Sequence, residues 1–269
     1  MTEELDPGLA LVVQHLEGHG GPPLGDYKER CLRRRLAVRM RACGVESLVE
    51  YAHLLGQSAT ETDKLLQTLT INVTQFFRNP EVWDRLEALL RPVVRARQGA
   101  VRIWSAGCAS GEEPYSLALL CCQLGIEELG SKASPPVIDA TDIDVASLER
   151  ARVGRYPKQA VSAASRLSQQ LVPVGDEVQV PESVRRAVRV RPHDMLREPA
   201  PDPPYDLVLC RNVIIYFGRD AQDRLMEQLT DALHPGGFLM LGRVETVLGP
   251  ARARLELLHP RDRIYRRVS

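Results

Sequence analysis

Residues 101–116, Val-Arg-Ile-Trp-Ser-Ala-Gly-Cys-Ala-Ser-Gly-Glu-Glu-Pro-Tyr-Ser, run from an apolar strand through a loop of small residues into a helix. A chain that turns this sharply at a strand end, with glycine and alanine where backbone must approach a ligand, is the opening unit of an open α/β sheet. The pattern continues downstream. Apolar segments at 101–106, 137–141, 186–191, 206–211 and 237–242 predict strands, and helical periodicity at 112–124, 144–153 and 219–233 predicts the helices between them. That alternation implies a doubly wound, mostly parallel sheet. A pair near 254–259 and 263–268 predicts an antiparallel hairpin at its edge. Only 155–190 breaks the rhythm: Leu171 to Val180 holds two short apolar runs about Gly175-Asp176, which predicts a small inserted hairpin, with the whole insert near 165–190.

Upstream the reading changes to helices. Leu9, Leu11, Val12, Val13 and Leu16 predict a first helix, closed by the Gly/Pro-rich stretch 18–23. A second, from Tyr27 to Ala42, places Cys31, Leu32, Leu36 and Met40 on one face, and the opposite face is read as basic: Lys28, Arg30, Arg33, Arg34, Arg35, Arg39 and Arg41. Ser47–Leu55, with Ser47 as cap, and Thr60–Leu69 complete a small bundle. Pro80–Gln98 predicts a long amphipathic helix joining it to the sheet. The expected division is a helical domain over 1–75, a linker helix over 76–99 and the sheet domain over 100–269.

Composition narrows the function. The 35 basic and 35 acidic residues cancel, so no overall field favours nucleic acid or anionic lipid. Lysine occurs only at 28, 64, 132 and 158, a bias toward arginine that a GC-rich genome explains. The 6 cysteines show no metal-ligand spacing, and free thiols in a reducing cytosol are expected, with no bound metal. Cys121 and Cys122 read as core packing; Cys108, in the small-residue loop, reads either as a reactive thiol or, more simply, as a small residue. No signal peptide or membrane-length apolar run is evident, so a soluble cytoplasmic protein is expected.

The loop after the first strand is not Gly-x-Gly-x-x-Gly and is followed by Glu112 and Glu113. Acids there oppose phosphate and suit a cofactor with cationic groups, such as the sulfonium and amino group of S-adenosylmethionine. The same acids also suit a helix N-terminus, and both readings stand. Asp142, after the second strand, is placed to accept from ribose hydroxyls, with Asp144 the better helix cap. Asp194 is a candidate acceptor for an adenine amino group, with His193 an ordinary loop residue. The fourth strand ends in Cys-Arg-Asn-Val-Ile-Ile-Tyr-Phe (210–217), which puts Asn212 and Tyr216 at the reacting end; Tyr216 reads equally as catalytic or structural.

Four segments taken in order, Thr-Ile-Asn-Val-Thr-Gln-Phe-Phe-Arg (70–78), Gly-Glu-Glu-Pro-Tyr-Ser (111–116), Thr-Asp-Ile-Asp (141–144) and Cys-Arg-Asn-Val-Ile-Ile-Tyr-Phe (210–217), resemble the signatures of the CheR family. These are S-adenosylmethionine-dependent methyltransferases that esterify glutamates of chemotaxis receptors, and the likeness runs from about residue 25 to the C-terminus. It implies a Rossmann-like class I methyltransferase sheet, an N-terminal all-helical receptor-recognition domain and a small inserted β subdomain. It also implies that Asn72, Thr74, Arg78, Ala106, Glu112, Asp142, Asp194, Met195, Asn212 and Val213 surround the cofactor, beside Gly107 of the loop. Arg78 would approach the transferred methyl and the target carboxylate, while Phe76 and Phe77 pack. Asp194 stands where relatives often have Asn, and Ile71 where Thr is common. In some relatives the inserted hairpin docks a receptor C-terminal peptide, and the shortness of this one leaves that carry-over open.

The reaction implied is displacement of S-adenosylhomocysteine by a glutamate oxygen. A carboxylate is already ionised at neutral pH, so no strong base is required. Arg78 then reads as an orienting clamp, with Tyr216 on the other oxygen. Arg30, Arg33, Arg34, Arg35, Arg39 and Arg41 would dock the acidic helical region of a receptor's cytoplasmic domain. The enzyme is expected to act as a monomer. The alternative is an S-adenosylmethionine sensor or adaptor without turnover. A nucleic-acid methyltransferase would place Asn-Pro-Pro-Tyr or Asp-Pro-Pro-Tyr after the fourth strand, where this chain has Arg-Asn-Val-Ile-Ile-Tyr.

Overall fold

The computed structural model describes residues 6–19, 21, 24–69, 74–161 and 165–268. Its contacts divide the chain into two units: residues 1–71 with 216–221, and residues 72–215 with 222–269.

The first unit is built from α1 (Pro7–Gly18), α2 (Glu29–Cys43), α3 (Leu48–Gln57) and α4 (Ala59–Leu69). Their starts follow local chemistry: Asp6 accepts from the amides of Gly8 and Leu9, and Ser47 accepts from that of Glu50. Leu9, Val12, Leu16, Leu32, Leu36, Tyr51, Leu55, Leu65 and Leu69 form its core. The basic face expected of α2 needs correction. Arg35 is only 9% exposed; it donates to the Thr68 carbonyl and lies over the Tyr216 ring, 5.2 Å from its centroid. Arg39 holds Glu61 through two nitrogens, at 2.9 and 2.6 Å, and Arg33 pairs with Glu29 at 2.6 Å and with Asp6 at 3.5 Å. Arg30, Arg34 and Arg41 remain exposed.

Residues 216–221 complete this unit. The Tyr216 carbonyl accepts from Lys28 N at 2.8 Å, Gly218 N donates to the Asp26 carbonyl at 2.7 Å, and Tyr27 bridges Phe217 with their rings edge to face.

The second unit begins with α5 (Pro80–Ala96), β1 (Arg102–Ala106), α6 (Glu112–Leu129), β2 (Val137–Asp142) and α7 (Val145–Val153). It continues through β3 (Arg155–Pro157), β4 (Val172–Val174), β5 (Glu177–Gln179), α8 (Glu182–Arg185), β6 (Val188–Pro192) and β7 (Tyr205–Cys210). α9 (Arg219–Asp231), β8 (Leu233–Leu241), β9 (Leu255–His259) and β10 (Ile264–Arg267) follow. The large sheet has the order β6-β2-β1-β7-β8-β10-β9, parallel through β8, with β10 and β9 antiparallel as the terminal hairpin. The order reverses at β1, which puts the ligand crevice at the carboxyl ends of β1, β2 and β7. β8 starts earlier than its apolar run because Pro235-Gly236-Gly237 is absorbed by a bulge opposite Tyr205–Leu207.

α5, expected as the connecting helix, packs into the core of this unit. Val82, Trp83, Leu86, Leu90 and Val94 are buried in the same core as Leu117, Leu120 and Leu124 of α6 and Ile103, Leu207 and Leu209 of the sheet. At roughly 1.5–3 kcal/mol per buried large apolar side chain, the helix is part of what holds this unit together. The insert is also larger than a hairpin. β4 and β5 pair about Gly175-Asp176, and β3 adds on the other side, giving a three-stranded antiparallel sheet.

Candidate active site

The loop leaving β1 is drawn tight by backbone bonds: Gly107 N and Cys108 N both donate to the Thr141 carbonyl, at 2.8 and 2.9 Å. Gly107, Ala109 and Gly111 all sit at positive φ, and for Ala109 (φ 48) this is a sparsely populated conformation. A Cβ on Gly107 would lie 2.6 Å from Val213 Cγ2 and 3.5 Å from Met195 Cε. Three of the expected residues, from the exits of β1, β6 and β7, therefore meet at one point. Ala106 is the buried last residue of β1.

The acids of this crevice differ in their partners. Asp142 is buried and accepts from Ala109 N at 2.8 Å and Asp144 N at 2.9 Å; burial pushes its carboxyl above the ordinary range. Asp144 caps α7, accepting from Ala146 N and Ser147 N. Glu112, buried at the head of α6, accepts from Ser110 Oγ at 2.8 Å, and desolvation pushes its carboxyl up against the weaker pull of Arg150. Glu113 instead accepts from Ser105 Oγ at 2.9 Å and Arg211 Nη1 at 3.2 Å. Asp194 is turned toward its own loop, accepting from Leu196 N at 2.9 Å and lying 3.7 Å from Arg197 Nε.

The Phe-Phe-Arg segment is fixed to the same place. Phe76 N donates to the Ala160 carbonyl, and Phe77 N to Ser116 Oγ at 3.0 Å in the first turns of α6. The Phe76 ring meets Tyr156 edge to face at 4.9 Å, and Phe77 meets Trp83 at 5.3 Å; both phenylalanines are fully buried. Half-exposed Arg78 stands between Phe77 (φ 53) and Asn79 (φ 60), and its carbonyl accepts from Trp83 Nε1. Thr74 is half-buried just before this anchor. Asn72 lies outside the described residues, as do Ile71 and Val73.

Asn212 also adopts positive φ (63), and its amide donates to Glu245 Oε2 at 2.9 Å. Glu245, buried just past β8, accepts as well from Gly242 N and Ile215 N, and so ties down the loop carrying Asn212 and Val213. The sequence reading assigned no role to Glu245, Arg211, Ser105 or Asn79. An acid four residues beyond a buried strand was the available signal for Glu245. Tyr216 groups with the helical unit, as described above. Cys108 is buried, and its thiol is pushed well up by desolvation and nearby acids, which leaves it unsuited to act as a nucleophile.

Residues 72–259 match the family profile described as CheR methyltransferase, SAM binding domain, and residues 7–70 match its all-alpha domain. The chain belongs to the CheR methyltransferase family. It is 34% identical to the chemotaxis protein methyltransferase of Listeria monocytogenes over 93% of this chain and 94% of that protein. It is 31% identical to that of Escherichia coli K12, over 91% and 87%. A 104.1 kDa uncharacterized protein of Rhodobacter capsulatus contains a stretch 32% identical, covering 97% of this chain but 28% of its own length.

The site fits the cofactor of this CheR family. Glu112 and Asp142 are buried acids at the head of α6 and the end of β2, and Met195 and Val213 pack an apolar wall against Gly107 of the loop after β1. Such a set suits the ribose, base and cationic methionyl part of S-adenosylmethionine better than a phosphate. The protein is an S-adenosylmethionine-dependent methyltransferase. When bound, the cofactor supplies an electrophilic methyl on a sulfonium.

Proposed function

We propose that this CheR-family enzyme methylates glutamate side chains of chemotaxis receptors, working as a monomer in the cytoplasm. The observation that carries the reading is the position of Arg78, pinned through Phe77, Trp83 and Asn79 beside the carboxyl ends of β1 and β7. A guanidinium held there can clamp one oxygen of an incoming carboxylate, and with the nucleophile already ionised, orientation supplies much of the acceleration. Glu112, Asp142, Asp194, Met195, Asn212 and Val213, with Asn72, Thr74, Ala106 and Gly107, hold the cofactor.

Residues 1–75 form the receptor-recognition domain, 76–99 the connection and 100–269 the methyltransferase domain with its β insert at about 165–190. The docking charge on α2 is carried by Arg30, Arg34 and Arg41, assisted by the outer atoms of Arg33, and it acts on encounter with an acidic receptor helix. Among the described residues no helix is long and apolar enough to cross a membrane.

The test is transfer of labelled methyl from S-adenosylmethionine to receptor-enriched membranes. Wild type should place alkali-labile label on a receptor band, and Arg78→Ala should lower the rate about 100-fold or more, as expected when an orienting clamp is lost. Cofactor binding without any label would favour a sensor over an enzyme acting on receptors.

A further inference from the structure

Arg211, just past β7, is tied to two other parts of the sheet unit. Its side chain is 4% exposed, which is unusual for arginine unless it is committed to partners. Nη1 donates to Glu113 Oε2 at 3.2 Å and Nη2 to Asn79 Oδ1 at 2.9 Å, while Glu113 is itself fixed by Ser105 Oγ at 2.9 Å. The chain Ser105–Glu113–Arg211–Asn79 thus joins the end of β1, the head of α6 and the exit of β7 to the residue after Arg78.

Asn79 is the second observation. It precedes α5 as its N-cap, where asparagine ordinarily accepts from an amide of the first turn, yet it makes no capping bond. Its oxygen is given to Arg211 instead, and its backbone is left-handed at φ 60. The capping contact is given up to fix a side chain at the exit of β7. Phe77, also at positive φ and bonded to Ser116, holds the other side of Arg78.

We infer that Arg211 and Asn79 are positioning residues for Arg78: the Arg211–Asn79 bond sets the backbone from which the Arg78 guanidinium reaches the substrate carboxylate. This rests on the reading of Arg78 as the substrate clamp. Asn79→Gly tests it, because glycine accepts the left-handed backbone and removes only the acceptor. Asn79→Asp keeps both the backbone tolerance and the acceptor. Glycine should lower kcat by about tenfold to a hundredfold, the scale of a misplacement near 1 Å, with KM for S-adenosylmethionine moving less than about twofold. Aspartate should restore most of the rate, and Arg211→Lys, which cannot span both partners in the same fork, should resemble glycine.

Melting curves taken alongside separate a positioning loss from a folding loss. An unchanged kcat in Asn79→Gly, a defect confined to cofactor KM, or failure of Asn79→Asp to recover rate would each overturn the inference. If Arg78→Ala itself retains full activity, the clamp reading falls. If Arg78→Ala is crippled while Asn79→Gly is not, only the positioning inference falls.

Discussion

Glu61 in the helical unit and Glu112 in the sheet unit expose little surface, 6% and 5%, though Glu112 lies deeper, and they have opposite electrostatics. Glu61 receives two bonds from Arg39 and one from Tyr51 Oη at 2.7 Å, and Arg39 first among these holds its carboxyl below the usual range. Glu112 accepts from a serine hydroxyl and its own backbone amide, with a weaker pull from Arg150, yet burial holds its carboxyl above the usual range. Burying an ionised carboxylate costs free energy unless it is paired. The helical unit has met that cost with its own arginine, so Glu61 belongs to the structure. In the sheet unit it is left largely unmet, as expected of a site whose cationic partner arrives with a ligand.

The largest effect expected from this contrast is on folding. Arg39→Ala strands Glu61 as a buried carboxylate beside Tyr51 and should lower stability by about 2–3 kcal/mol, just below the range for a fully buried pair because Arg39 retains some exposure. Thermal or denaturant unfolding of the purified protein measures it. A change under about 0.5 kcal/mol, the level of an ordinary surface ion pair, would remove the distinction.

Next in size is the cofactor. Glu112→Gln keeps the shape and the Ser110 bond but not the charge, and should weaken S-adenosylmethionine by about tenfold, the worth of one charge-assisted contact. The same change should leave the ligand-free protein as stable as wild type or slightly more so. Calorimetric titration and melting of the same preparation give both numbers. Loss of stability without loss of affinity would make Glu112 another Glu61.

The two units were unequally legible. Strands of a parallel sheet are buried on both faces and announce themselves as apolar runs, so β1, β2 and β7 could be placed from sequence almost to the residue. β3 could not, because Arg-Tyr-Pro is too short to show alternation and pairs with a segment twenty residues away. On α2 the chemistry of arginine masked the geometry of the helix. Arg35 lies three residues from Leu32 and four from Cys31, hence on the apolar face, and Arg39 follows four residues later. Spacing alone would have set both apart from Arg30, Arg34 and Arg41. At the site, small residues and acids marked the loops, but the Arg211–Asn79 and Glu245 contacts join positions 132 and 33 residues apart, and one sequence carries no sign of such pairings.

The smallest effect is also the one that separates the two glutamates most cleanly. A carboxylate whose folded pKa is depressed, as for Glu61, adds stability that is present above its unfolded value of 4.5 and is lost as pH falls through the folded value. For Glu112 the sign reverses: its contribution is present below 4.5 and is lost as pH rises through the raised folded value. Ligand-free wild type and Glu112→Gln should therefore unfold alike in acid, and the glutamine variant should gain as pH climbs out of the ordinary carboxylate range toward neutrality. Saturating S-adenosylmethionine should close that gap from the neutral side, because a bound cation favours the ionised form and adds binding energy to the wild type. Asp142 and Glu245, also pushed up by burial, titrate in both proteins and cancel in the difference. A gap that stays flat with pH, or that cofactor does not close, would mean that Glu112 meets its burial cost within the fold, as Glu61 does.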